Sequence, residues 1–399
     1  MTIADRWLLP DGMEEVLPPQ ARQIEELRRE LLDLLHSWGY DLVFPPPAEY
    51  LESLLTGSGN DLDLQTFKIT DQMTGRLMGV AADITPQVAR MDAHSMQRQG
   101  PARFCYCANV LRTKAGSMLG SRSPMQVGAE LFGHAGVESD TEIMGLMLST
   151  LATAGAEKIY LDIGHVGIYR ALISEAGLDA DQEKQLFNAI LHKAYAEIDQ
   201  IVARDIANES VRGMISRLAR LNGGADVLAQ AQIELADAPA TVKEALDNVE
   251  QTAKLIQSQY HHVEINFDLA ELRGYNYHTG MVFAAYIPGY GHPVAQGGRY
   301  DETGKVFGRA RPATGFSTDL KVLAKLLQEN DPVSGILVPA GFSDDEELLC
   351  TVRALRSEGT RVVYAMPDQD ISASEMGCDS ELVRKDDGQW VVEPINRIF

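Results

Sequence analysis

The chain of 399 residues is 45% hydrophobic and 23% charged, the balance of an ordinary globular protein, which excludes low-complexity and collagen-like classes. No apolar run approaches the ~20 residues that cross a bilayer, and Met1 to Trp7 lacks the basic stretch and apolar core of a secretory signal, so a cytoplasmic protein is expected. A formal net charge of −22 sets the averaged field against nucleic acid and other polyanions.

Taken in chain order, Ile24, Leu27, Leu31, Leu34, Leu35 and Trp38 recur at helical spacing and predict one amphipathic helix from Pro18 to Trp38, ended by Gly39. Tyr40 to Phe44 then predicts a short strand, stopped by Pro45, Pro46 and Pro47, which cannot donate to a sheet ladder and so mark an edge or an interface. Cys105, Cys107, Cys350 and Cys378 form no C-x-x-C pair, so they are expected as buried free thiols and no metal site is predicted. Apolar segments at Arg76–Val80, Lys158–Ile163, Val263–Leu269 and Met281–Tyr286 predict further strands, too unevenly spaced for a repeating βαβ chain. The fold class expected is α+β, a mixed or antiparallel sheet flanked by helices. Between about Gly167 and Tyr260 the composition becomes Ala-, Gln- and Glu-rich without a strand-like run, and Leu186, Ile190, Ala194 and Ile198 keep helical spacing; this reads as a helical insertion.

A body of residues 1–330 is therefore expected to precede a small α/β module of residues 331–399. In that module strands at Gly335–Val338 and Arg361–Tyr364 flank a helix opened by a Ser343/Glu346 capping box, with Leu348, Leu349, Val352 and Leu355 as its buried stripe. Asp387-Gly388, between Leu382-Val383 and Trp390-Val391-Val392, predicts a terminal hairpin.

P-loop, dinucleotide-binding, zinc-protease and serine-hydrolase motifs are all missing. Asp344-Asp345 fits the first turn of a helix, where acids complement the dipole, better than a phosphoribosyltransferase signature.

Three windows, in order between Trp7 and Leu327, resemble the catalytic domain of class II histidyl-tRNA synthetases. The first is the opening helix and strand with Pro46-Pro47-Ala48-Glu49, similar to the dimer-interface motif of that class. The second runs from Leu111-Arg112-Thr113 to the stretch Gln126–Gly133 and matches motif 2 at Arg112, Gln126 and Glu130. The third comprises Leu272–Gly280, reading LRGYNYHTG, and Gly297-Gly298-Arg299-Tyr300-Asp301, both specific to the histidine enzymes; Ala82-Asp83-Ile84-Thr85 lies where that family has another histidine contact. The resemblance implies a pocket for free histidine. In it Asp83, Thr85 and Gln126 take the ammonium, Arg112, with Arg273 as a second candidate, takes the carboxylate, and Glu130, Tyr277 and Tyr300 take the imidazole. Gly297-Gly298 would let backbone approach the ligand. These assignments suit an amino acid, which needs donors for its carboxylate and acceptors for its ammonium.

Adenylate formation needs cations on the triphosphate, and here the family pattern fails. Lys114 stands for the motif 2 acid, Pro124 falls where an aromatic would stack adenine, Ala81 replaces an arginine, and Val322 aligns with the motif 3 arginine. Lys321 is no substitute, because neighbours on a helix point ~100° apart. One such loss typically costs ~10²–10³ in rate. A histidine site kept beside an ATP site lost resembles the ATP phosphoribosyltransferase regulatory subunits, a paralogous family. That likeness implies no intrinsic catalysis, no cofactor, and a dimer of synthetase-like cores in a hetero-octamer with the short-form catalytic subunit. It also implies activation of that partner and feedback inhibition by histidine. The alternatives are a working synthetase, or a paralogue serving another pathway as amino-acid ligase or sensor.

Overall fold

Residue alternation along Met125–Phe132 sets the plan of the larger unit: Val127, Ala129 and Leu131 point to one face and are buried, while Gln126, Gly128 and Glu130 point to the other. In the computed structural model, which describes residues 7–55, 60–115, 120–327, 334–341, 344–367 and 372–395, this strand lies inside a nine-stranded sheet. Its order is Asp41–Leu42, Ala102–Asn109, Met125–Phe132, Ala313–Asp319, Ala295–Arg299, Met281–Tyr286, Tyr160–His165, Glu264–Asp268 and Asn222–Gly223. The first pair and the pair Tyr160–His165 with Glu264–Asp268 are parallel, and the remaining pairs are antiparallel. The sheet is mixed, as expected.

The chain divides into two compact units, Met1–Val16 with Ile24–Leu326, and Leu17–Gln23 with Leu327–Phe399. The helix Gln20–Ser37, which belongs to the first from Ile24 onward, buries Ile24, Leu27, Leu31 and Leu35, and Gly39 at φ +84° ends it, its N–H donating to the His36 carbonyl. Only Asp41 and Leu42 of the strand expected at Tyr40–Phe44 pair in the ladder, at the edge of the sheet, before the prolines stop it. The strand expected at Arg76–Val80 is Leu77–Val80, in a separate three-stranded sheet with Ala48–Tyr50 and Lys68–Thr70. Helix Val137–Thr153 is buried along most of its length and lies across Met125–Phe132 and Ala313–Asp319. No helix among the described residues is long and apolar enough to cross a membrane.

Six helices fill the stretch read as an insertion: Val166–Ala176, Ala180–Leu191, Tyr195–Asp205, Glu209–Leu218, Asp226–Glu234 and Ala240–Gln259. Two details differ from the sequence reading. Ala194 sits between helices, because the chain breaks at Lys193, which takes φ +52°. A two-residue strand, Asn222–Gly223, also leaves the helices to pair with Phe267 and Asp268 at the far edge of the large sheet; it is too short to register in hydrophobic periodicity.

In the second unit the sheet order is Val362–Tyr364, Ile336–Val338, Ser380–Arg384, Trp390–Pro394. Helix Glu346–Ser357 supplies Leu348, Val352 and Leu355 to its core, whereas Leu349 is only partly buried. Asp345 caps that helix by accepting from Leu348 N at 3.0 Å; the expected cap, Ser343, lies outside the described residues. The terminal hairpin turns at Gly388, φ +89°. Cys105, Cys107 and Cys378 are buried free thiols; Cys350 is exposed on the outer side of its helix, contrary to expectation.

One buried ion pair joins sheet to helix in the first unit. Arg299, at the end of its strand, donates from Nε to Asp140 Oδ2 at 3.1 Å, from Nη2 to Ser139 Oγ at 2.8 Å and from Nη1 to the His134 carbonyl at 3.1 Å, with Nη2 2.9 Å from Asp140 Oδ1 in the ion pair. Both charged side chains are under one-tenth exposed. Removing one partner of such a pair strands the other, so Arg299→Ala is expected to lose about 3–5 kcal/mol in urea unfolding of the intact chain.

Candidate functional site

The polar face of Met125–Phe132 looks into a cavity of about 110 Å³, and all eight residues singled out above line it: Asp83, Thr85, Arg112, Gln126, Glu130, Arg273, Tyr277 and Tyr300. They come from four separate stretches of chain, which the sheet brings together. Its floor is built of glycine. Gly315 pairs across from Glu130, and a Cβ at Gly315 would overlap the Glu130 carboxylate; a Cβ at Gly297 would overlap the Gly315 carbonyl.

Glu130 is the deepest of the charged groups, 1% exposed. Its Oε1 accepts from Thr85 Oγ1 at 2.8 Å and from the Tyr106 hydroxyl at 3.0 Å, and its Oε2 accepts from the Tyr300 hydroxyl. Burial pushes its pKa up to about 8, although the three hydroxyls favour the carboxylate. Burial, with the Glu130 charge beside them, pushes Tyr106 and Tyr300 well above the ordinary phenol. A second pair stands beside this group: Gln126 Nε2 donates to Asp83 Oδ1 at 2.7 Å, and its Oε1 accepts from Ile84 N at 3.0 Å, which fixes the amide's orientation. Thr85 was grouped with Asp83 and Gln126 by resemblance, yet its hydroxyl belongs to the Glu130 cluster. Only its backbone N–H reaches Asp83, at 3.3 Å.

Arg112 donates from Nε to the Ala82 carbonyl at 3.1 Å. Arg273 is held in an ion pair with Glu271, Nη2 to Oε2 at 2.5 Å and Nε to Oε2 at 2.9 Å. Burial raises the Glu271 carboxyl, but the Arg273 bonds outweigh it and hold it below the usual carboxylate range. Tyr277 is 43% exposed and stacks on His278, ring centroids 4.1 Å apart. The His278 ring rests on Gly298, where a Cβ would come 2.7 Å from its Cε1, so that glycine makes room for the ring. His278 Nδ1 lies 3.2 Å from the Arg299 carbonyl, and burial lowers its pKa to about 4. A carbonyl only accepts, so Nδ1 carries the proton and Nε2 is an acceptor.

Sequence reasoning missed Tyr106, Glu271, Asp162, Asp268 and Gly315, all of which line the cavity or bond to its groups. Tyr106 was the most accessible of these. It shares a strand face with Phe104 and pairs with Gly128, on the same face as Glu130.

A second cavity of about 350 Å³ adjoins the first and shares Arg112, Gln126, Arg273, Gln296 and Ser317 with it. Pro124, Val322 and Asp319 line the rest, where the resemblance would require phosphate and adenine contacts. Lys321 Nζ is occupied by the Ser123 carbonyl at 2.8 Å and Glu14 at 3.4 Å. Ala81 is buried, and Lys114 is exposed.

The family model described as histidyl-tRNA synthetase matches residues 12–323, and the model described as the ATP phosphoribosyltransferase subunit HisZ C-terminal domain matches residues 333–393. ATP phosphoribosyltransferase regulatory subunits from Chromohalobacter salexigens and Pseudomonas aeruginosa are 55% identical over 395 residues and 53% over 398, with 99% of this chain and 100% of each relative covered. A crystal structure from Bacillus halodurans, described as an ATP phosphoribosyltransferase regulatory subunit/histidyl-tRNA synthetase, superposes with TM-score 0.83 at 26% identity, covering 96% of this chain and 99% of the other. A histidyl-tRNA synthetase from Nostoc shares the fold at TM-score 0.78 and 18% identity, with 97% of both chains covered. The fold is the class II synthetase-like α+β architecture.

Glu130 ties the site to stability. Its pKa of about 8 in the folded chain stands against an ordinary 4.5, so the folded chain binds more protons between those values and stability falls as pH rises through that window. Thermal unfolding from pH 5 to 8 is expected to show a smaller fall for Glu130→Gln than for the parent chain.

Proposed function

The chain belongs to the family of ATP phosphoribosyltransferase regulatory subunits, and from that membership we propose that it is a non-catalytic, histidine-sensing partner of the short-form catalytic subunit. In this reading it activates the partner in the first step of histidine biosynthesis, in the cytoplasm, and takes part in feedback inhibition by histidine. Its synthetase-like body of residues 1–330 forms a self-dimer within a hetero-octamer, and residues 331–399 stand where a synthetase has a longer anticodon-binding domain.

The observation that carries the proposal is the contrast between the two cavities. The first keeps a full set of groups for a free amino acid: Asp83 with Gln126 for the ammonium, Arg112 for the carboxylate, and Glu130 with Tyr300 and Tyr277 for the imidazole. A carboxyl titrating near neutrality suits an imidazole, which itself titrates near neutrality and offers both a donor and an acceptor. Among the described residues the second cavity offers a triphosphate Arg112, an arginine already committed to Glu271 and the imidazole of His292, together with the acid Asp319. Positioned cations supply much of phosphoryl-group catalysis, so adenylation has little support there. Arg273 also serves the ligand carboxylate less readily than Arg112, since it must leave Glu271 to do so.

Two measurements test this. Added to the short-form catalytic subunit, the chain is expected to raise phosphoribosyl transfer and to make it sensitive to histidine; no effect on either overturns the regulatory reading. Calorimetry is expected to show Glu130→Ala weakening histidine by about 10- to 100-fold, the weight of one or two bonds to a charged group. Histidine-dependent pyrophosphate exchange is expected at background, and a clear signal would favour a ligase instead.

A further inference from the structure

The pocket segment Asp268–His278 has two sides. Its inner side gives Asp268, Glu271, Arg273, Tyr277 and His278 to the cavity. Its outer side is gripped by the helical region at three points. Arg170, on helix Val166–Ala176, donates from Nη2 to the carbonyls of Tyr275 at 2.9 Å and His278 at 3.1 Å, with its guanidinium 4.9 Å from the Tyr275 ring. Phe187, on helix Ala180–Leu191, packs on the same ring at 5.4 Å. Lys193, at the break after that helix, donates from Nζ to both oxygens of Asp268 at 2.7 Å.

The third grip is held in an unusual backbone. Lys193 takes φ +52°, and among the described residues only Gln97 is another non-glycine with positive φ. An L-residue with a long side chain rarely adopts that conformation. Here it is fixed by Lys193 N bonding to the Ile190 carbonyl and Ala194 N to the Ala189 carbonyl, both at 2.9 Å, and it turns the ammonium onto a residue of the cavity wall. Within the gripped segment the turns are closed by Glu271 N on the Asp268 carbonyl at 3.1 Å and Tyr275 N on the Leu272 carbonyl at 3.0 Å, while the carbonyls of Tyr275 and His278 are given to Arg170. Tyr277 N and His278 N share the Gly274 carbonyl at 2.9 and 2.8 Å, and Asn276 and Tyr277 are exposed. Arg170 therefore fixes the backbone of the residues that stack and hydrogen-bond in the pocket, from outside it.

We propose that Arg170 and Lys193 are positioning residues for the ligand pocket, and that through them the helices from Val166 to Asp205 register whether the pocket is filled. The inference rests on the reading of the first cavity as a histidine site. A ligand that draws Arg273, Tyr277 or His278 inward moves the Tyr275 and His278 carbonyls against Arg170, and a change in charge beside Asp268 is felt by Lys193. The helices touch the pocket segment on one side and pack on the helices Glu209–Leu218 and Ala240–Gln259, with exposed residues along 180–205, and so can carry the state of the pocket to the surface.

Hydrogen exchange on the full chain, with and without L-histidine, tests this. Histidine is expected to slow exchange across residues 180–200 by about tenfold, within the range of ordinary coupling between sites. Lys193→Gly keeps the positive φ at no steric cost while removing the ammonium, so it is expected to fold, to bind histidine more weakly, and to lose the protection of residues 180–200. Arg170→Met should behave alike and Arg170→Lys should recover part of the effect, which a merely structural contact would not predict. If Arg170→Met fails to fold, Lys193→Gly decides. Histidine binding without slowed exchange in the parent chain, or with protection unchanged in Lys193→Gly, overturns the coupling alone. No histidine binding to the parent chain overturns the ligand assignment and the coupling with it.

Discussion

A carboxyl group with no access to water is the constraint around which the larger unit is arranged. Burying Glu130 without partners would cost several kcal/mol, and the chain meets that cost by bringing hydroxyls from three distant segments to its two oxygens. Thr85 arrives at the start of a short helix, Tyr106 from the neighbouring strand, and Tyr300 from just past a strand end across the sheet. Each has a defined place only if the strand order and register are right. Gly315 completes the arrangement by having no side chain where the carboxylate lies. The site and the sheet thus specify one another.

Under the proposed function, the same economy lets a class II body hold an amino acid without activating it. Activation depends on free cations aimed at a polyphosphate. Among the described residues, three cations near the second cavity are already engaged: Arg273 by Glu271, Lys321 by Ser123 and Glu14, and Arg112 in part by a backbone carbonyl. An acid two residues before an arginine is enough to redirect it, since the short span lets one carboxylate accept from both the backbone and the side chain of Arg273. Under that proposal silencing takes two forms, residues replaced and residues retained but turned elsewhere.

Much of this was legible in the sequence because motif residues keep fixed spacing on strands. Gln126 and Glu130 are four apart and must share a face, and the LRGYNYHTG and GGRYD stretches flag their own neighbourhood. Contacts that depend on tertiary pairing were not legible. Tyr106 faces Glu130 only through the register of two strands, and Glu271 reads as an ordinary acid until its rotamer is seen. Lys193 is the clearest case, because helical spacing runs smoothly from Ile190 through Ala194 to Ile198 while the backbone breaks between them. Periodicity records which residues are apolar, and it carries no information about a single strained dihedral.

The two-residue strand Asn222–Gly223 bears on how the helical region is joined to the rest. The chain leaves the large sheet at Tyr160–His165, passes through the helices, and returns to that sheet's outermost edge before rejoining at Glu264–Asp268. Those few ladder bonds cover strand edge that would otherwise invite pairing with another chain. The helical region thereby shields the Phe267–Asp268 end of that strand, so removing it would bare backbone groups of the sheet as well as apolar helix faces.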